Sequence, residues 1–164
     1  MTGETIQPAN AMEASQPDSA TAARQKSEQQ LRYRRLLRDH FDHIVEIVNT
    51  TVHENSGKQV SRSQLASVIA VAQESRSVLV VIGYIQYQMS RPGSDWNRED
   101  YRTPKQQWLG SYIVARLENE IKTLAQELAE SGLATQHELH IDLTQLYLGY
   151  LRRAFIASGQ TKGR

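Results

Sequence analysis

The chain has 164 residues, 39% of them hydrophobic, a mean hydropathy of −0.56, a formal net charge of +1 and no cysteine. That is the length of one domain with the composition of a water-exposed chain. Disulfides, thiolate metal sites and cysteine nucleophiles are excluded together, and a charge so near zero excludes capture of nucleic acid by bulk electrostatics alone.

Residues 1–27 are rich in Ala, Ser, Thr, Gln and Pro and offer little to bury, so they are expected to form a disordered tail. They contain no apolar stretch resembling a secretory signal, which points to the cytoplasm. Residues 28–158 are expected to form a single helical bundle, and residues 159–164 to fray.

Within the bundle, Tyr33, Leu36, Leu37, Phe41, Ile44, Ile47 and Val48 recur at steps of three and four, predicting a first helix from about Glu28 to Val52. Asn55, Ser56 and Gly57 mark a loop. Ser61 followed by Gln64 has the form of a capping box, and Leu65, Val68, Ile69 and Ala72 continue a second helix to about Ser75. Ser77 can cap a third, from Val78 to about Ser90, which Pro92-Gly93 stops.

That third segment is apolar around its whole circumference. Its 12-residue apolar run, Val78 to Met89, falls short of the roughly 20 residues a membrane span needs, so it is expected to be the central strut of the bundle, surrounded by the other four helices. Gly83 would admit a close neighbour, while Tyr84, Gln86, Tyr87 and Gln88 need polar partners or an opening to solvent. A polar linker, Arg91 to Lys105, follows. Leu109, Ile113, Leu117, Ile121, Leu124 and Leu128 predict a fourth helix that Gly132 caps. Thr135 and Glu138 open a fifth that carries Leu139, Leu143, Leu146, Tyr147, Tyr150, Leu151 and Phe155 and ends at Gly159. The fold class is all-α: a bundle of about five helices with a central apolar helix.

Little in the sequence carries catalytic chemistry. His40 and His43, and His137 and His140, are two pairs at the same spacing, but the Glu-x-x-His motif of a bundle di-metal site does not occur. The expectation is a hydrogen-bonded His40, an exposed His43 and no metal. No nucleophile elbow, phosphate-binding glycine loop or His-Glu-x-x-His is present, so neither a catalytic residue nor a cofactor is expected. Glu118 and Glu120 read as solvated surface.

The basic residues admit two readings. Arg32, Arg34, Arg35 and Arg38 cluster in LRYRRLLR, and Glu28–Arg32, Arg35–Asp39 and Arg38–Asp42 have the spacing of helical ion pairs. They form either a salt-bridged surface or a face that a polyanion can claim, since exposed pairs contribute only about 0–1 kcal/mol. Arg91, Arg152 and Arg153 lack a carboxylate at the preceding turn. Acids gather elsewhere, at Glu118, Glu120, Glu127, Glu130, Glu138 and Asp142, so the domain is expected to be bipolar, with nucleic acid on one face and protein on another.

VSRSQLASVIAVAQES followed by VVIGYIQYQMSR resembles the helical core of the small subunits of type III CRISPR effector complexes, which are antiviral ribonucleoproteins. The shared pattern is a polar opening, here Ser61 to Leu65, and then an apolar helix leading to basic residues, within a span from Arg34 to Ala157. The resemblance implies a non-catalytic subunit that stacks on neighbouring protein subunits. It would line the channel where guide RNA pairs with target RNA, touching sugar and phosphate while base pairing reads the sequence. Arg91 stands at the family's basic exit position, with Arg34, Arg35, Arg38 and Arg152 as further RNA-binding candidates; the long N-terminal tail departs from compact members. The competing class is a protein-only helical adaptor or self-associating module using Trp96, Trp108, Tyr112 and the acidic face.

Overall fold

The computed structural model describes residues 19–56, 58–97 and 108–162; the rest of the expected tail (1–18), most of the linker (98–107) and the last two residues lie outside it. Helices α1 (Ser19–Asp39), α2 (Phe41–Glu54), α3 (Arg62–Ser75), α4 (Val78–Ser90), α5 (Leu109–Glu118), α6 (Glu120–Ala129) and α7 (Gln136–Ala157) are joined by a 3-10 turn at Asp95–Asn97 and two two-residue strands. The fold is an all-α bundle. Among the described residues no helix is long and apolar enough to cross a membrane.

The helix expected to begin at Glu28 begins at Ser19. SATAARQK is built largely of good helix formers, so propensity carries the helix outward without any burial. The same predicted helix is interrupted at His40. There the ring Nδ1–H donates to the Leu36 carbonyl at 2.8 Å, and the His40 backbone N–H bonds Leu37 instead, at 3.2 Å. Side chain and ladder compete for one acceptor. The fourth predicted helix divides at Asn119, where the backbone leaves the helical conformation (φ −109°, ψ −85°) while the Asn119 N–H and side-chain amide both donate to the Ala115 carbonyl, at 3.0 and 2.8 Å.

Several expected caps form. Thr135 and Glu138 make a full capping box. Ser61 Oγ accepts from the Gln64 N–H, but the return bond to the Ser61 N–H comes from the Asp95 carboxylate, at 3.1 Å. Gly159, at φ 72°, closes α7 with Gly159 N–H bonded to Ile156 and Gln160 N–H to Phe155. Beyond it the chain does not fray at once: Thr161–Lys162 (β2) pairs in parallel with Val60–Ser61 (β1), matching Val60 to Thr161 and Ser61 to Lys162.

The helix at the centre is α7, not the Val78–Ser90 segment. It packs against α2, α3 and α6 and buries Leu139, Ile141, Leu143, Thr144, Tyr147, Leu148, Leu151 and Phe155. A buried polar seam ties it to α2. Thr51 Oγ1 donates to the Ile47 carbonyl and meets Tyr147 Oη at 3.1 Å. Helix α4 instead lies between α3 and α5 and is divided lengthwise: Val78, Val81, Ile82, Ile85 and Gln88 are buried, whereas Leu79 (79%), Val80 (49%) and Tyr87 (61%) are exposed. Gly83 faces open space. The close approach is at Gly110 of α5, where a Cβ would stand 2.5 Å from Met89 Sδ and 3.2 Å from Ile85 Cγ2.

Candidate functional site

Helix α1 buries no residue. Tyr33, Leu36 and Leu37 rest against the core from one side. Leu31 (51% exposed), Arg34, Arg35 and Arg38 share another face, because positions 31, 34, 35 and 38 recur at steps of three and four. Six basic and two acidic side chains give the helix a net +4, which leaves −3 for the rest of a +1 chain. The expected ion pairs Glu28–Arg32, Arg35–Asp39 and Arg38–Asp42 do not form. Among the described residues no carboxylate engages Arg32, Arg34, Arg35 or Arg38. These guanidinium groups stand in solvent with their charge uncompensated by contact.

Two grooves flank this face. One, of about 420 Å³, runs between α1 and α7 and is lined by Arg34, Leu37, Phe41, Asp142, Gln145 and Leu146. The other, of about 400 Å³, is lined by Leu31, Arg34, Arg35, Arg38 and Phe41. Arg34 and Phe41 belong to both. Phe41 meets Tyr150 edge-on with ring centroids 6.1 Å apart, and Arg153 lies over the Tyr150 ring at 5.4 Å.

Glu138 and Asp142, expected on a face away from the basic cluster, instead line a groove with Tyr33 of α1 and Arg76, and Asp142 bonds both of these residues. Its Oδ2 accepts from Tyr33 Oη at 2.6 Å and its Oδ1 pairs with Arg76 at 3.0 Å, fastening α1 and the end of α3 to α7. Burial, and then the Asp142 hydrogen bond, push the Tyr33 hydroxyl pKa above the ordinary tyrosine range, so Tyr33 remains a neutral donor. Arg76 itself takes a left-handed conformation, φ 51°, a turn whose backbone cost of about 1–2 kcal/mol the ion pair helps to offset.

The remaining candidates lie apart. Arg91, at the end of α4, is exposed and donates to Gln88 Oε1 at 3.3 Å. Arg152 is exposed on α7. Neither lines the grooves beside Arg34. Sequence reasoning missed Phe41 and Gln145 as groove residues and Tyr150 as the ring packed against Phe41; the three-residue step from Tyr150 to Arg153 was the one available signal. The adaptor residues are also displaced, since Trp96 is buried completely and Tyr112 is half-buried under the Lys58 ammonium, 5.0 Å from its ring.

The histidines separate too. His43 is exposed near Glu46, and His140 Nε2–H donates to the Leu117 carbonyl at 2.8 Å. Among the described residues no three His, Asp or Glu side chains gather to hold a metal. Burial lowers the His140 pKa, against the opposing bond to Leu117. Its stabilising contribution is therefore complete above the unfolded value of about 6.5 and is lost as pH falls from there through the folded pKa. The thermal midpoint is expected to fall between about pH 7.5 and pH 5, and His140→Gln should flatten that profile. An unchanged slope in the variant would assign the loss to other groups.

No family model, curated protein or solved structure matches this chain.

Proposed function

We propose that the protein is a non-catalytic helical subunit of an RNA-guided ribonucleoprotein in the cytoplasm. It contacts the backbone of guide or target RNA through α1 and neighbouring protein subunits through its other faces. The observation that carries this reading is the exposed cluster Arg34, Arg35 and Arg38, without carboxylate partners, on a helix of net +4. Such a face gains most from an anion that brings several charges at helical spacing, and a phosphate backbone does so. Arg91 and Arg152 take the lesser part of separate phosphate contacts within an assembled particle, where neighbours hold the strand.

The test titrates single-stranded RNA across salt with the wild type, each single arginine-to-alanine variant and the Arg34/Arg35/Arg38 triple variant. Lys122→Ala, on exposed α6 surface, serves as control. Each lost phosphate contact is expected to lower the salt slope by about 0.7, and the triple by about 2, to the same extent for all sequences. A triple variant that binds like wild type would remove α1 from the interface. The measurement is made on the isolated chain and on its assembled complex, because a subunit with few contacts borrows affinity from its neighbours.

A protein-only adaptor is the second reading, favoured by the exposed Leu79, Val80 and Tyr87 on α4. It replaces the first if neither the chain nor its native complex contains or binds RNA.

A further inference from the structure

Helix α1 offers more than charge. The groove between α1 and α7 is lined by apolar Leu37 and Leu146 and aromatic Phe41 together with the cationic Arg34. Its volume of about 420 Å³ lies within the range of small-molecule pockets, about 300–1,000 Å³. A purely phosphate-binding surface has no use for such a recess, and a duplex, with its bases stacked inward, has nothing to place there.

We infer that this groove takes an unstacked base of a single-stranded RNA whose phosphates lie on Arg34, Arg35 and Arg38. The inference rests on the RNA-backbone reading and names its substrate: an unpaired stretch of the guide or target strand in preference to the duplex the two form.

Four features fit the occupant. Arg34 lines the recess, Arg35 and Arg38 line the adjoining groove that shares Arg34 and Phe41 with it, and none of the three has a carboxylate partner, so the charge beside the recess is complementary to the phosphates that adjoin an inserted base. The Phe41 ring, held edge-on by Tyr150, supplies a flat apolar surface on which any base can stack, independent of sequence. Gln145 spends its Nε2–H on the Ala72 carbonyl at 2.9 Å, which fixes the amide and leaves Oε1 to accept from an exocyclic amine or a ribose hydroxyl. The one acid in the lining, Asp142, has both oxygens engaged, by Tyr33 and by Arg76, so its charge is balanced before an anionic strand arrives.

The experiment compares four probes against the full chain at one salt concentration: a short single-stranded RNA, the same strand carrying abasic residues, the same strand paired with its complement, and polyglutamate. The abasic strand and the duplex are expected to bind about ten-fold more weakly than the intact single strand, the loss of roughly one stacked base. A 2-aminopurine placed in the single strand should be quenched on binding. Phe41→Leu, which keeps apolar volume and removes the ring, is expected to bring the single strand down to the level of the abasic strand and to leave duplex binding unchanged. The abasic comparison needs no variant, so a folding defect in Phe41→Leu does not rescue the inference.

Equal binding of intact, abasic and paired strands, each abolished in the arginine triple variant, would overturn the base groove while the backbone reading stands. Competition by polyglutamate as strong as that by RNA would instead assign the groove to an acidic protein segment. Absence of binding to every RNA, alone and in the native complex, would remove both readings.

Discussion

Replacing Trp96 with alanine is expected to cost about 3–5 kcal/mol of stability, the range for deleting a fully buried large aromatic side chain. For a chain of this length that corresponds to a fall in thermal midpoint of roughly 6–20 °C. Trp96 is 0% exposed although it lies in RPGSDWN, a stretch with no other large apolar side chain. Its 3-10 turn is pinned from three directions. The Ser94 hydroxyl accepts from the Trp96 N–H at 3.2 Å, the neighbouring Asp95 carboxylate accepts from the Ser61 N–H, and the Asn97 amide donates to the carbonyls of Met89 and Arg91. The turn packs against α4, α5 and β1, so the indole closes the end of the bundle where these elements meet. Denaturant unfolding of Trp96→Ala beside Tyr87→Ala, an exposed aromatic on α4, checks the assignment. The tyrosine variant is expected to stay within about 0.5 kcal/mol of wild type. A loss at Trp96 below about 1 kcal/mol would mean that the turn is a dispensable cover and not part of the core.

Trp96 also shows where sequence reading fails in a protein of this kind. Periodicity finds residues that recur, as in α3 and α7, whose apolar positions repeat and whose first residues follow Ser61 and Thr135 caps. A single large side chain in a polar segment has no period, and its burial is decided by elements far off in sequence. The division at His40 escaped for a related reason: its apolar positions keep the helical step, and the ring's bond to Leu36 leaves no trace in the pattern. The two-residue strands are too short to carry an alternation.

The candidate site was legible to a similar degree. Spacing alone puts Arg34, Arg35 and Arg38 on one helix face, and the structure has them there. The same spacing permits ion pairs that do not form, because an i,i+4 geometry allows contact without compelling a flexible side chain to give up its rotamers. Arg91 and Arg152 could not be placed relative to that face from sequence, since their positions depend on how α4 and α7 cross their neighbours. The bond from Tyr33 to Asp142 joins positions 109 residues apart, beyond the reach of any local rule.

Ile85→Ala bears on the largest difference between sequence and structure, the place of α4. Ile85 is 0% exposed and faces α5 where Gly110 lets the two helices close together. Truncation there leaves a cavity that the glycine cannot fill, so the loss is expected to lie in the range of about 2–5 kcal/mol. Leu79→Ala, on the opposite side of the same helix, is expected to change stability by no more than about 0.5 kcal/mol. An apolar helix surrounded by others would give similar, large losses at both positions; a helix divided lengthwise gives one large and one negligible. The pair of variants therefore separates the two arrangements without reference to function. If Leu79→Ala proved as costly as Ile85→Ala, and the cost grew with protein concentration, the outer face of α4 would be covered by another copy of the chain. The leucine, valine and tyrosine it presents would then belong to an interface, in keeping with the adaptor reading and compatible with an RNA-binding α1 elsewhere on the molecule.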